Sequence, residues 1–355
     1  MSRSPRSGRF ALVLASSLLT LGVAELAVRS CYDFMPSIQV GEGATRLSDE
    51  VVKAVFDSDP DLIWRLKKNM LFPEADHPFR GVISNEQRLR GLESVPLEKA
   101  PRETRILFLG DSVTFGWGLP FEETFVERTQ RALRERFPGR TIRCINAGVP
   151  GYSLFQGWRV LEREGFAYQP DLVVLAFGPN DTTSWGDIGD AEQHARWQAQ
   201  FPPPALRWSS LATLVQIRLS SPVASKSVKA RPRLTVSEFG ELLEQIREET
   251  EARRIGLAVM VVAHRKNVDG SMAEGRLGRY QSASAQIGET LRLLPDGPPA
   301  LVNGAAVVRE LVRTHTVDEV FFDRVHPTAL TAAVLADEFV ALISPWVERQ
   351  IHFGT

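Results

Sequence analysis

Apolar positions along this chain fall into three regimes. Residues 10–28 form a nearly unbroken apolar run in which Glu25 is the only charge, preceded by Arg3, Arg6 and Arg9. Residues 31–100 scatter Pro, Asp and Arg through short apolar pieces such as Leu62-Ile63-Trp64, with weak periodicity; this predicts an extension lying against the main domain. From about residue 105 the apolar positions gather into runs of strand length separated by helically spaced stretches, as in a parallel sheet with crossover helices.

Four buried strands follow from this pattern, at residues 106–109, 142–146, 172–177 and 257–262. The third, Leu172-Val173-Val174-Leu175-Ala176-Phe177, is apolar throughout, as a strand covered on both faces should be. Helices are predicted at 121–137, stopped by Pro138-Gly139, at 158–164 and at 238–254. Leu330, Val334, Leu335, Phe339, Leu342 and Ile343 trace one face of a final helix starting just after Pro327. Residues 182–236 break the rhythm, holding Trp185, Trp197, Trp208, Pro202-Pro203-Pro204 and a basic segment from Lys226 to Arg233. A long insertion directly after a strand end predicts a lid or pocket wall, because ligands of open α/β sheets bind beyond the carboxyl ends of the strands. The expected organisation is residues 1–30 as signal or anchor, 31–100 as extension, and 101–350 as the main domain carrying insertion 182–236.

Charged flank and apolar run together read as an export signal. Gly22-Val23-Ala24 offers a small-x-small cleavage site. The preferred reading is an uncleaved anchor, since the nineteen residues 10–28 span ~28 Å at 1.5 Å each, close to the bilayer core. In both readings the basic end stays cytoplasmic and the remainder is extracytoplasmic.

Composition narrows the partners. With 43% hydrophobic and 24% charged residues the chain is an ordinary globular protein. Its net charge of -1 argues against a nucleic-acid partner. Two cysteines, Cys31 and Cys144, make no disulfide framework and show no zinc-ligand spacing. Cys144 is expected to be a buried strand residue.

Candidate chemistry sits at the strand ends. Gly110-Asp111-Ser112-Val113 follows the first strand, where a serine at a strand-to-helix turn exposes its Oγ above the sheet. Asn146-Ala147-Gly148-Val149-Pro150-Gly151 follows the second, where glycine lets backbone approach a ligand and donate its N–H. Gly178-Pro179-Asn180-Asp181 ends the third, so that the Asn180 amide can donate to a developing oxyanion. Asp323-Arg324-Val325-His326 places a carboxylate three residues before an imidazole, close enough to fix its tautomer while the other ring nitrogen takes a serine proton. His77, His194, His264, His315 and His352 fit no serine-centred arrangement and are expected to be structural or exposed.

These four blocks resemble those of the SGNH (GDSL-type) hydrolase superfamily, over about residues 105–345. The resemblance implies a three-layer α/β/α, flavodoxin-like parallel sheet and metal-free esterase, lipase, deacetylase or acyl-transfer activity, with no cofactor. Ser112 resembles the family nucleophile. Gly151 and Asn180, with the Ser112 N–H, resemble the oxyanion-hole donors. Asp323 resembles the orienting acid and His326 the base, with Gly148 replacing Gly151 if the second block is misaligned. Val113 departs from the leucine of the name-giving motif. The expected function is hydrolysis of a small-molecule ester or acylated glycan through an acyl-serine intermediate. Two alternatives are an O-acetyltransferase on a cell-envelope polysaccharide and a non-catalytic carbohydrate-binding module using the tryptophans of insertion 182–236.

Overall fold

The structure is a computed structural model and describes residues 5–31, 49–72, 83–220, 230–268 and 275–353. The chain opens with helix α1 (Pro5–Cys31), then α2 (Asp49–Val55) and an antiparallel hairpin of β1 (Phe56–Asp59) and β2 (Ile63–Leu66). Five parallel strands make the main sheet: β3 (Glu103–Gly110), β4 (Thr141–Gly148), β5 (Leu172–Ala176), β6 (Gly256–Val261) and β7 (Leu301–Asn303). Their spatial order is β4-β3-β5-β6-β7, so the direction of winding reverses beside β3. This is the flavodoxin-like order, whose binding crevice lies outside the carboxyl ends of the strands at that reversal.

Period-two alternation divides the strands between two cores. Leu107, Leu109, Val173, Leu175, Leu257 and Val259 face one core. Ile106, Phe108, Leu172, Val174, Ala258 and Met260 face the other. Along the chain the helices are α3 (Ser112–Phe115), α4 (Phe125–Arg136), α5 (Leu154–Val160), α6 (Asp190–Gln198), α7 (Ser210–Leu219), α8 (Val236–Ala252), α9 (Arg276–Thr290), α10 (Gly304–Leu311), α11 (Val317–Val320) and α12 (Ala329–Phe353). Helices α4 and α12 cover the face carrying Phe108, while α5, α8 and α9 lie over the other. The result is the expected three-layer α/β/α architecture.

Several boundaries differ from the pattern in the sequence, each for a local reason. The stretch 121–137 is divided at Thr124, whose hydroxyl caps α4 by accepting from Glu127 N–H; only a short 3-10 turn, Phe121–Glu123, precedes it. Helix α5 starts earlier than expected because Ser153 and Gln156 form a capping box, and after Val160 the backbone widens into a π-turn over Leu161–Gly165. The final helix begins at Ala329 and buries Leu335, Phe339 and Ile343, as its apolar face requires. Strand β7 has three residues and no run long enough to announce it.

The α2 and hairpin elements lie where the sequence showed no regular element. Trp64 is fully buried in the core shared with Leu107 and Leu109, its Nε1–H donating to Pro150 O at 3.1 Å. Tyr152 Oη–H donates back to Trp64 O at 2.5 Å. Helix α1 is long and apolar enough to cross a membrane, and its side chains are mostly exposed. Helix α12 is also long and apolar enough to do so, but half of it is buried against the domain.

Candidate active site

Strand β3 delivers Ser112 to the rim of the sheet. Asp111 Oδ1 accepts Val113 N–H at 2.8 Å and caps the one-turn helix α3, which ends at Gly116 in the left-handed region with φ +80°. Space is tight under this turn: a Cβ on Gly110 would lie 2.0 Å from Thr114 Oγ1 and 2.8 Å from Ala176 O. Only glycine fits there.

The 323–326 segment arrives from the far end of the chain and is held by a bridge between Phe321 and Pro327 and by Phe322 N–H donating to His326 O at 2.9 Å. His326 Nε2 lies 2.8 Å from Ser112 Oγ. On the other side of the ring, Nδ1 lies 2.7 Å from Asp323 Oδ2. Asp323 Oδ1 accepts the N–H groups of Val325 and His326, each at 2.9 Å. Burial pushes the Asp323 carboxyl up, but the His326 hydrogen bond and charge, with the two N–H groups, outweigh it and hold the carboxyl well below the usual range. An ionised Asp323 demands a proton on Nδ1, which leaves Nε2 an acceptor for the serine O–H. Ser112 is 4% exposed and His326 2%, with the Trp117 ring centred 6.1 Å from that of His326.

The second and third blocks close on the first. Val149 N–H donates to Gly110 O at 3.1 Å, and Asn146 Nδ2–H donates to Thr114 O at 2.8 Å. Gly148 N–H donates to Asn146 Oδ1 at 3.0 Å, and a Cβ at Gly148 would meet Phe115 N at 2.4 Å. Gly151, at φ +84°, and Ser112 have N–H groups with no acceptor among the described residues. Of the two glycines, Gly151 therefore keeps a donor available and Gly148 does not. Asn180 Nδ2 donates to Asp111 Oδ2 and to Tyr152 O, both at 3.1 Å. Two acceptors fix which end of the amide is nitrogen, and they link blocks one, two and three through one side chain.

Residues without a role in the motif pattern hold this arrangement. Burial pushes the Asp111 carboxyl up to about 6, against the pull of the Val113 N–H and the His326 charge. Burial likewise pushes Asp181 up to about 7, although its oxygens accept the Leu154 and Gly178 N–H groups, both at 2.9 Å. Arg233 and Asp190 are each about 2% exposed and paired at 2.8 Å. Arg233 also donates to Gly151 O at 2.6 Å and Gln156 Oε1 at 2.5 Å, while Asp190 accepts from Trp185 Nε1–H at 2.6 Å and from Ser153 Oγ–H.

This bears on the basic segment from Lys226 to Arg233, which reads in the sequence as a solvated run more than as a site for an anionic partner. Residues 226–229 lie outside the described residues. Arg231 is paired with Glu238 at 2.6 Å and Arg233 is buried with Asp190, so those two charges are engaged internally. Of the insertion's tryptophans, Trp185 serves Asp190 and Trp197 donates to Asp59 O at 2.8 Å, so neither is an open platform for a sugar. Trp208 alone of the three is exposed.

The described histidines other than His326 make contacts away from Ser112. His194 packs edge-on to Phe155, His264 Nδ1 accepts Lys266 N–H at 3.0 Å, and His315 Nδ1 lies 3.2 Å from Leu311 O. His77 and the side chain of His352 lie outside the described residues. Cys144 lies on β4 and is partly buried, and burial raises its thiol pKa far above the usual value.

With this geometry in hand, residues 108–334 match the family model described as GDSL-like Lipase/Acylhydrolase family. The chain belongs to that family. The GDSL-like match covers well over half of the sequence and includes all four blocks, which makes the protein an ester hydrolase of the SGNH type. No curated protein sequence matches the chain. Among solved structures it is similar to LAE5, an alpha/beta hydrolase from the metagenome of Lake Arreo, Spain, at 17% identity and TM-score 0.45, over 68% of this chain and 95% of that one. It is also similar to Axe2, an acetylxylan esterase from Geobacillus stearothermophilus, at 19% identity and TM-score 0.46, over 68% of this chain and 94% of that one. Likeness at this level brings no substrate or residue role to the GDSL-like chain.

Proposed function

We propose that the protein hydrolyses carboxylic esters by two-step acyl transfer through an acyl-Ser112 intermediate, on the extracytoplasmic side of a membrane to which α1 anchors it. The observation that carries the reading is the continuous line from Asp323 through the His326 ring to Ser112 Oγ, with contacts of 2.7 and 2.8 Å. As the Ser112 oxygen bonds to the ester carbonyl carbon, its proton passes to His326 Nε2, and Asp323 offsets the imidazolium charge. The carbonyl oxygen becomes the oxyanion. It is received by the Ser112 and Gly151 N–H groups and by the Asn180 amide, which gives up its bond to Tyr152 O to donate there. Collapse of the tetrahedral species breaks the bond to the leaving alcohol, which takes the proton from His326. Water then repeats the sequence against the acyl carbon and releases the acid.

The test is turnover of a short-chain aryl ester by Ser112→Ala and His326→Ala. Both variants are expected to lose ~10⁴-fold or more in kcat while keeping the wild-type fold. Turnover at the wild-type rate by Ser112→Ala rejects the mechanism.

A further inference from the structure

Glu25 is the one charge inside the apolar run of α1, and the structure gives it a partner that no motif foretold. Its carboxylate accepts Ser210 N–H at 2.8 Å, Leu211 N–H at 3.0 Å, Ser209 Oγ–H at 2.7 Å and Arg29 Nε–H at 2.7 Å. Arg29 Nη2–H in turn donates to Trp208 O at 2.7 Å. Glu25 therefore occupies the amino terminus of α7, where unpaired N–H groups and the helix dipole favour an anion. The remaining cap comes from Ser209 Oγ, which accepts Ala212 N–H at 3.0 Å.

Helix α7 itself is unusual for a surface helix. Leu211, Ala212, Leu214, Val215, Ile217 and Leu219 run round all its sides, yet Thr213 is its one buried residue. A helix that is apolar all round belongs in a core or in lipid. Val215 and Leu219 are exposed on it, and just before it Leu206 and Trp208 are exposed too, Trp208 by 69%. Leu26 on α1, one residue beyond Glu25, is also exposed, so the apolar surface of the anchor continues onto the insertion.

Depth along α1 says what covers this surface. Residues 10–24 reach only ~22 Å, short of the ~30 Å bilayer core, whereas residues 10–28 reach ~28 Å. Spanning with the longer run places Glu25 about 4–5 Å inside its outer end. A carboxylate is tolerated there if its charge is already met by hydrogen bonds. The groups that meet it are the Ser209 hydroxyl, the first N–H groups of α7 and Arg29, whose guanidinium also donates to Trp208 O, which puts α7 and Trp208 at the same level, the membrane–water boundary where tryptophan is favoured.

We propose that residues 206–219 form a membrane-interface element, latched to the anchor through Glu25, with lipid as the partner of Leu206, Trp208, Val215 and Leu219. The proposal rests on the reading of α1 as an anchor. It also ties the anchor to the site, since the same insertion carries Arg233, which holds the Gly151 carbonyl.

The experiment uses the full chain reconstituted into phosphatidylcholine vesicles, with and without bromine on the acyl chains, and reads tryptophan emission after flotation. Wild type is expected to float and to be quenched by brominated lipid. Trp208→Phe should float equally well and lose most of the quenching. Glu25→Ala should float but show reduced quenching, because α7 is released from the anchor. A floating Trp208→Phe protein quenched as strongly as wild type overturns the proposal while leaving the anchor intact. Unchanged quenching in Glu25→Ala overturns the latch. A wild-type chain that stays at the bottom of the gradient overturns the anchor reading and the proposal with it.

Discussion

Replacing Arg233 with methionine keeps an unbranched apolar stem in place of the aliphatic part of the side chain but removes a buried charge and three donated hydrogen bonds, to Asp190 Oδ1, Gly151 O and Gln156 Oε1. Charge-assisted bonds contribute ~1.5–3 kcal/mol each, so a simple sum would be about 4.5–9 kcal/mol. That sum overshoots, because Asp190 keeps Trp185 Nε1–H and Ser153 Oγ–H and is not left bare. Breaking a buried pair from one side costs ~3–5 kcal/mol, and that is the expected loss. Adding Asp190→Asn removes the stranded carboxylate, so the double variant should be more stable than the sum of the single effects by ~0.5–3 kcal/mol. Equilibrium urea unfolding of the full chain in detergent micelles, followed by tryptophan emission, measures all three variants. On folded protein below the transition, Arg233→Met should also lose kcat, up to the ~10²–10³-fold typical of one oxyanion donor, since Gly151 is then held only by its neighbours. A cost under ~1 kcal/mol, or single effects that add within ~0.5 kcal/mol, refutes the idea that this pair is coupled and holds the Gly151 loop.

Three further outcomes follow from the same geometry. Asp323→Asn should lower kcat by ~10²–10⁴-fold by releasing the His326 tautomer; because the Asp323 carboxyl lies below its unfolded value, the stability it adds is present above pH ~4 and disappears as pH falls through the folded value, so acid unfolding should begin at higher pH in the variant. Asp111, raised to about 6, works in the opposite sense: its contribution is present below pH ~4 and lost as pH rises through 6, so Asp111→Asn should gain on wild type by on the order of 3 kcal/mol between pH 4 and 7, and parallel stability curves would contradict the burial argument. Gly148→Ala should cost both stability and turnover, since its methyl would meet Phe115 N at 2.4 Å and displace the turn bearing Ser112; an active, stable Gly148→Ala would contradict that packing.

The parts of this molecule that were legible in the sequence are those whose signal is local. Strands β3, β5 and β6 each read as an apolar run and β4 as a shorter mixed one, and β3, β4 and β5 carry their polar motifs directly at the strand end, which puts Ser112, Gly151 and Asn180 on one rim from the sequence alone. Asp323 and His326 were legible as a pair because three residues separate them. What stayed hidden depends on partners far along the chain. Arg233 sits in a run of basic residues and looks solvated until Asp190, 43 positions earlier, is folded against it. The β1–β2 hairpin has no strong alternation and is specified by burial of Trp64 beneath Pro150, 86 positions away. Glu25 reads in the sequence only as a lone charge near the outer end of an apolar segment, because its partners on α7 lie about 185 residues downstream. The Asp111 carboxylate was part of a recognised motif, yet its hold on Asn180 is a contact between two strand ends that only the order of the sheet creates.

In the proposed mechanism the hydroxyl beside His326 carries the acyl group. Wild-type protein mixed with 4-nitrophenyl acetate, quenched in acid within the first turnovers and mapped by peptide mass spectrometry, should hold one acetyl group on the peptide containing Ser112, and Ser112→Ala should hold none. An acetyl group found at another position, or burst release of nitrophenol by Ser112→Ala equal to wild type, would contradict the account.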